Sequence, residues 1–227
     1  MKFGKITIAA LCAGLMLTVC AASCSDGRAN TVSNTDVSLS DMAYGVDDGT
    51  LLPRGVWAAD DGERRTGYYL SAGDNNGYYL DTEYGMSVVF EVEEFNDKKP
   101  RLHKGSDEES NEYAEVFRPD NNKRQLTWKE DGRSEYLTLI NAANPDTFVF
   151  YSASDLLNAA YTYYESEHNG AHPEFFSTKV NVDGTVDIEL YDKAGGKKAS
   201  AACYQIDSIT GKGKEILSNS GVDFSEQ

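Results

Sequence analysis

The chain has 227 residues with a formal charge of −16, enough for one or two domains. No clustered basic face is available, so nucleic acid is excluded as a partner, and electrostatic adhesion to anionic lipid is disfavoured. Hydrophobic residues make up 40% of the chain, enough to build a core and to exclude global disorder.

Residues 1–23 read as a signal peptide. Lys2 and Lys5 precede an apolar run over 6–19 that is too short for a comfortable membrane span and ends in small residues. Ala21-Ala22-Ser23-Cys24 resembles a bacterial lipobox, in which cleavage precedes a cysteine that becomes lipid-modified. Ala21 departs from the pattern, where Leu or Val is usual. The resemblance implies lipidation at Cys24 and an extracytoplasmic, membrane-anchored location, since several acyl chains hold a protein far better than one. Residues 24–50 are then the lipidated end and a polar, aperiodic tether. Of the four cysteines, Cys12 and Cys20 leave with the signal. Cys203 is left without a disulfide partner and is expected to be a small buried apolar residue.

From 51 to 151 short strand-like runs alternate with turn signals, about ten residues apart. They are GVWAA, the two Gly-Tyr-Tyr-Leu runs at 67–70 and 77–80, MSVVFEVEEF, RLHKG, EYAEVFRP, RQLTWKE, SEYLTLI and TFVFY. Asn76-Gly77 between aromatic runs predicts a hairpin turn. Val88, Phe90 and Val92 share one face of their strand, while Glu91 and Glu93 share the other. Eight or nine such strands can close into an antiparallel up-and-down barrel, which removes exposed edges.

After residue 152 the period changes. Leu156, Leu157, Ala160, Tyr161 and Tyr164 recur at helical spacing; Ser152 or Ser154 can cap the start, and Gly170 and Pro173 end the helix. Hairpin signals follow at Asp183-Gly184 and in KAGGKK, so residues 152–227 read as a small α+β module of one helix and β-hairpins.

Gly55-Val56-Trp57 at the head of such a barrel resembles the first-strand motif of lipocalins. That resemblance implies that Trp57 packs across the closed end and that ligands enter the open end. A longer resemblance is to uncharacterised secreted lipoproteins of Gram-positive anaerobes. It rests on the GVW strand, Leu102-His103-Lys104-Gly105-Ser106-Asp107, Trp128–Arg133, Phe148–Ser152, Tyr163-Tyr164-Glu165, the Asp-Gly-Thr-Val strand and the ending from Tyr204 to Gly213. It implies a fold and a location but transfers no activity.

Motifs for chemistry are sparse. No Gly-x-Ser-x-Gly, Walker loop, His-Glu-x-x-His or dinucleotide fingerprint occurs, so no catalytic residue and no cofactor are assigned. Glu165, His168 and His172 gather at a helix end and are the candidates for a metal, although Gly170 separates the two histidines. Asp74, Asn76, Gly77 and Glu83 match part of a calcium loop, but Ala72 stands where its first oxygen is needed. Asp107, Glu108, Glu109 and Glu112 form an acidic turn. Tyr69, Tyr79 and Trp128 are the candidates for contact with a ligand or a sugar face. The sequence therefore predicts a mainly β protein, a lipocalin-like barrel of about eight strands followed by an α+β module. Its expected role is non-enzymatic binding of a small apolar or amphipathic ligand. A structural or interaction module of the cell envelope, its barrel filled by its own side chains, is the alternative, and carbohydrate binding or hydrolysis a more distant one.

Overall fold

The computed structural model describes residues 51–225 except 74, 94–99, 106–112 and 142. The signal, Cys24, the tether and the acidic turn at 107–112 lie outside the described residues. Eight antiparallel strands run in sequence order and close on themselves: β1 Gly55–Asp60, β2 Arg65–Ser71, β3 Asn76–Asp81, β4 Ser87–Glu93, β5 Arg101–Lys104, β6 Tyr113–Asp120, β7 Lys123–Trp128 and β8 Ser134–Ile140. Closure is made by β1 against β8, with Trp57 opposite Leu139 and Ala59 opposite Leu137. The expected up-and-down barrel is therefore present.

Strand alternation decides what fills it. Trp57, Tyr69, Phe90, Val92, Leu102, Ala114, Val116, Leu126, Trp128, Leu137 and Leu139 point inward and form one buried cluster with Leu52. The interior is filled by side chains along its length. The two Gly-Tyr-Tyr-Leu runs pair in β2 and β3, Tyr69 lying opposite Tyr79. Their glycines permit close approach. A Cβ on Gly67 would stand 2.4 Å from Leu80 O, and one on Gly77 would stand 2.0 Å from Leu70 O. The turn between these strands lies earlier than Asn76-Gly77, which begin β3. Positive φ angles fall instead on Gly73 and Asn75, because a longer loop needs its left-handed residues before the ladder resumes.

The run at 147–151 is a second departure from the sequence reading. It forms no strand. Phe148 and Phe150 instead lie against the outward ring of Tyr68, 5.0 and 5.2 Å between ring centres. They cover the outer face of β1 and β2 together with Val56 and Ala58. Burying those rings satisfies the same apolar pattern without a ninth pairing.

The α+β module follows. Helix α1 (Ala153–Glu167) starts from a capping box, Ser152 Oγ accepting from Asp155 N at 3.1 Å and the Asp155 side chain accepting from Ser152 N. It ends where Asn169 and Gly170 take positive φ. Five antiparallel strands form the second sheet in the order β13-β12-β11-β10-β9, with β9 Phe175–Val180, β10 Thr185–Ala194, β11 Lys197–Asp207, β12 Lys212–Glu215 and β13 Ser220–Asp223. Leu156 and Ala160 of α1 pack on Ile188, Leu190, Tyr204 and Ile206 of the sheet. Cys203 faces the other side and is half-buried rather than fully buried, because strand parity puts it opposite Tyr204.

Barrel and module belong to one compact unit. The first two N–H groups of a helix have no partner within it; here Ala153 N donates to Thr82 O (2.8 Å) and Ser154 N to Glu83 O (3.0 Å), both in the turn between β3 and β4. Tyr68 Oη lies 3.1 Å from Ser208 Oγ, and Arg65 donates to Val182 O. No described helix is long and apolar enough to cross a membrane.

Candidate functional site

The two ends of the barrel differ in chemistry. At the closed end Trp57 is fully buried and its indole N–H donates to Pro53 O at 3.1 Å. The Arg124 guanidinium lies 4.7 Å from the Trp57 ring centre. Arg124 is 1% exposed and donates to Asp120 O and Lys123 O, both at 2.8 Å, and to Leu51 O. A Cβ on Gly55 would lie 2.8 Å from Leu139 Cδ1, so a side chain there would push that leucine end aside. The Gly55 and Trp57 pair thus sits where the barrel is sealed.

The open end is polar. Lys104, the last residue of β5, points inward among the rings of Tyr79, Trp128 and Tyr69, with Nζ 3.5, 4.7 and 5.0 Å from their centres. Glu135, 4% exposed, faces it, Oε2 lying 3.6 Å from Nζ. The carboxylate is held in place by Tyr69 Oη (2.8 Å) and Thr66 Oγ1, both donating to it. Burial, together with the Glu135 charge, pushes the Tyr69 hydroxyl well above the usual tyrosine range, and the same two causes raise Tyr79. Both phenols therefore stay neutral donors.

Above this floor opens a cleft of about 360 Å³, within the range of small-molecule sites. Thr66, Tyr79, Lys104, Arg133 and Glu135 line its barrel side, and Lys179 and Val180 of β9 line the side given by the module. Five basic and four acidic side chains surround it. In a chain of charge −16 this near balance sets the mouth apart from the acidic surface around it. Arg64 also bridges toward Glu83 at 3.8 Å across its rim.

The three aromatic candidates, Tyr69, Tyr79 and Trp128, thus meet at one place. Tyr69 and Trp128 are 0% and 2% exposed, so they form the floor of the mouth, and neither presents an open face for stacking a sugar. Lys104, Glu135 and Arg133 carry the charge of the site and were not singled out in the sequence. Their signal was strand parity: Lys104 follows Leu102 by two, and Glu135 precedes Leu137 by two.

The candidates at the end of α1 do not converge. His172 contacts Glu165 and stacks on Tyr161 at 4.7 Å. His168 turns away, its Nδ1 lying 2.9 Å from Tyr164 O and its ring stacked 4.0 Å from that of Tyr164. Among the described residues no group of three or more His, Cys, Asp or Glu side chains is placed to hold a metal ion.

Fold and site together define a closed eight-stranded barrel with one end sealed by Trp57 and Arg124 and a charged mouth at the other, joined to a one-helix antiparallel sheet. Comparison with known proteins gives no match to a family model, to a curated protein or to a solved structure.

Proposed function

We propose that this is a lipid-anchored, extracytoplasmic binding protein without catalysis, which takes a small amphipathic ligand at the barrel mouth. One observation carries the reading: the Lys104–Glu135 pair, ringed by Tyr69, Tyr79 and Trp128, floors the cleft between barrel and module. Convergent polar groups over an aromatic floor are the usual make-up of a small-molecule site. Because the interior below is occupied by Phe90, Leu102, Leu126 and their neighbours, the ligand is confined to the mouth. Its apolar part meets Tyr79 on the barrel side and Val180 of β9 on the other, both of which line the cleft. Anchoring is supported by Lys2, Lys5, the apolar run and the lipobox-like residues before Cys24.

A second reading, an envelope interaction module, is favoured by the same filled interior and by Tyr84 and Met86, 64% and 61% exposed between β3 and β4.

Native mass spectrometry of protein purified from its own membranes separates the two. A reproducible co-purifying small molecule, lost on Tyr79→Ala, supports binding at the mouth; a clean apo mass in every preparation contradicts it. Metabolic labelling with palmitate, abolished by Cys24→Ser, tests the anchor; labelling unchanged by that substitution rejects it.

A further inference from the structure

We infer that the barrel mouth is an alkylammonium site whose resting occupant is the chain's own Lys104. The inference rests on the mouth being the binding end of the barrel, and it names the ligand class.

Aromatic faces carry the negative part of the ring quadrupole and attract cations that lie within about 6 Å of the ring centre. Three rings meet that condition around one point, at 3.5, 4.7 and 5.0 Å from Lys104 Nζ, and a carboxylate completes the enclosure at 3.6 Å. The enclosure is built without Lys104. Tyr69 comes from β2, Tyr79 from β3, Trp128 from β7 and Glu135 from β8. Tyr69 and Thr66 fix the Glu135 carboxylate. The Tyr79 ring is seated on Gly67, where a Cβ would stand 2.4 Å from Tyr79 Cε2 and leave no room for it. Only the cation is supplied by β5.

That cation sits on a flexible four-carbon stem, with 18% of the side chain exposed, and it lines the open cleft. A rotation about its own side-chain bonds carries it toward solvent and vacates the enclosure. What fits the vacated place is a primary or small quaternary ammonium on an alkyl chain, with its head against Glu135 and its tail toward the cleft. A carboxylate head is disfavoured there, because it would face the buried Glu135 charge and three negative ring faces, although the Arg133 guanidinium also lies 5.7 Å from the Trp128 ring centre. The acidity of the chain, −16 overall, draws cations toward it over longer distances.

Lys104→Ala empties the enclosure, and calorimetric titration with n-butylammonium, n-butanol and n-butyrate reads its preference. The variant is expected to bind n-butylammonium about tenfold or more tightly than the wild-type protein does. It should bind butanol weakly and butyrate not at all, and Lys104→Ala/Glu135→Gln should lose the ammonium preference. A folded Lys104→Ala that binds butanol or butyrate as well as it binds butylammonium overturns the ammonium assignment while leaving the mouth as a binding end. A folded variant that binds none of the three overturns both. Should Lys104→Ala not fold, the wild-type protein decides. Its two indole N–H resonances are distinguished by Trp128→Phe. n-Butylammonium should then shift the Trp128 signal and leave that of Trp57 in place, whereas no shift, or an equal shift with butyrate, overturns the inference.

Discussion

The Arg124 guanidinium lies 4.7 Å over the Trp57 ring and locks the sealed end of the barrel to the backbone of Leu51, Asp120 and Lys123. Both residues are buried, so each is a stability determinant remote from the mouth. Trp57→Ala should cost about 3–5 kcal/mol through cavity formation. Arg124→Lys should cost about 2 kcal/mol, because an ammonium cannot reproduce the planar fork that reaches several carbonyls. Denaturant unfolding measures both. A loss under about 1 kcal/mol for Trp57→Ala would show that the closed end is not the keystone its burial implies.

Gly77 is the second stability test. Its missing side chain leaves room for Leu70 O, which a Cβ would meet at 2.0 Å, whereas a Cβ on Gly62 meets nothing within 4 Å. Gly77→Ala should therefore cost about 3 kcal/mol or more, by overpacking against backbone that cannot move aside. Gly62→Ala carries only the strain of its φ of +90°, about 1 kcal/mol. Thermal unfolding of the two variants side by side should separate them clearly. Equal losses would mean that strand β3 can shift away from β2.

Much of this was legible in the sequence, and the exceptions have physical causes. The barrel strands announce themselves by alternation, and a serine at 152 or 154 announces the helix start, because these are local patterns; that Ser152 is the cap, paired with Asp155, comes from the structure. The mouth was half legible. Tyr69, Tyr79 and Trp128 draw notice as large aromatics, but nothing local says that the β2–β3 hairpin and the distant β7 aim them at one lysine. Lys104 and Glu135 are ordinary charged residues until closure of the barrel brings β5 and β8 within reach across the interior. The contacts of 147–151 were misread because Phe-Val-Phe-Tyr is apolar enough for a strand. Here the rings instead seal the outside of one. The link between the α1 N–H groups and the Thr82 and Glu83 carbonyls has no sequence signature at all, since backbone groups carry no residue identity.

That link makes the two parts unfold together. Both tryptophans lie in the barrel and the one described helix lies in the module. Tryptophan emission and the helical circular dichroism signal should therefore share a single midpoint in thermal or denaturant unfolding. Two separated midpoints would show that the bonds from Ala153, Ser154 and Tyr68 do not couple the parts.

Alkaline pH offers a test of the buried phenols. Tyr69, Tyr79 and Tyr204 are all raised above the ordinary tyrosine value of 10.0, chiefly by burial. Below pH 10 folded and unfolded chains both hold these protons, and the contribution is intact. Above pH 10 the unfolded chain releases them while the folded chain retains them, so stability falls as pH rises. Melting temperatures measured from pH 8 to pH 11.5 should hold level and then drop, and Tyr69→Phe, from a lower baseline, should soften the drop. A melting temperature that rises above pH 10 would contradict the placement of these hydroxyls.

The most direct test of the central claim maps where a ligand lands. Backbone and indole ¹H–¹⁵N chemical shifts recorded during titration with small amphipathic compounds should move at Thr66, Tyr79, Lys104, Trp128 and Glu135, while Trp57 and Arg124 stay unmoved. Shifts that gather at the Trp57 end, or that spread over the exterior and leave Lys104 and Glu135 silent, would contradict a barrel that binds at its mouth.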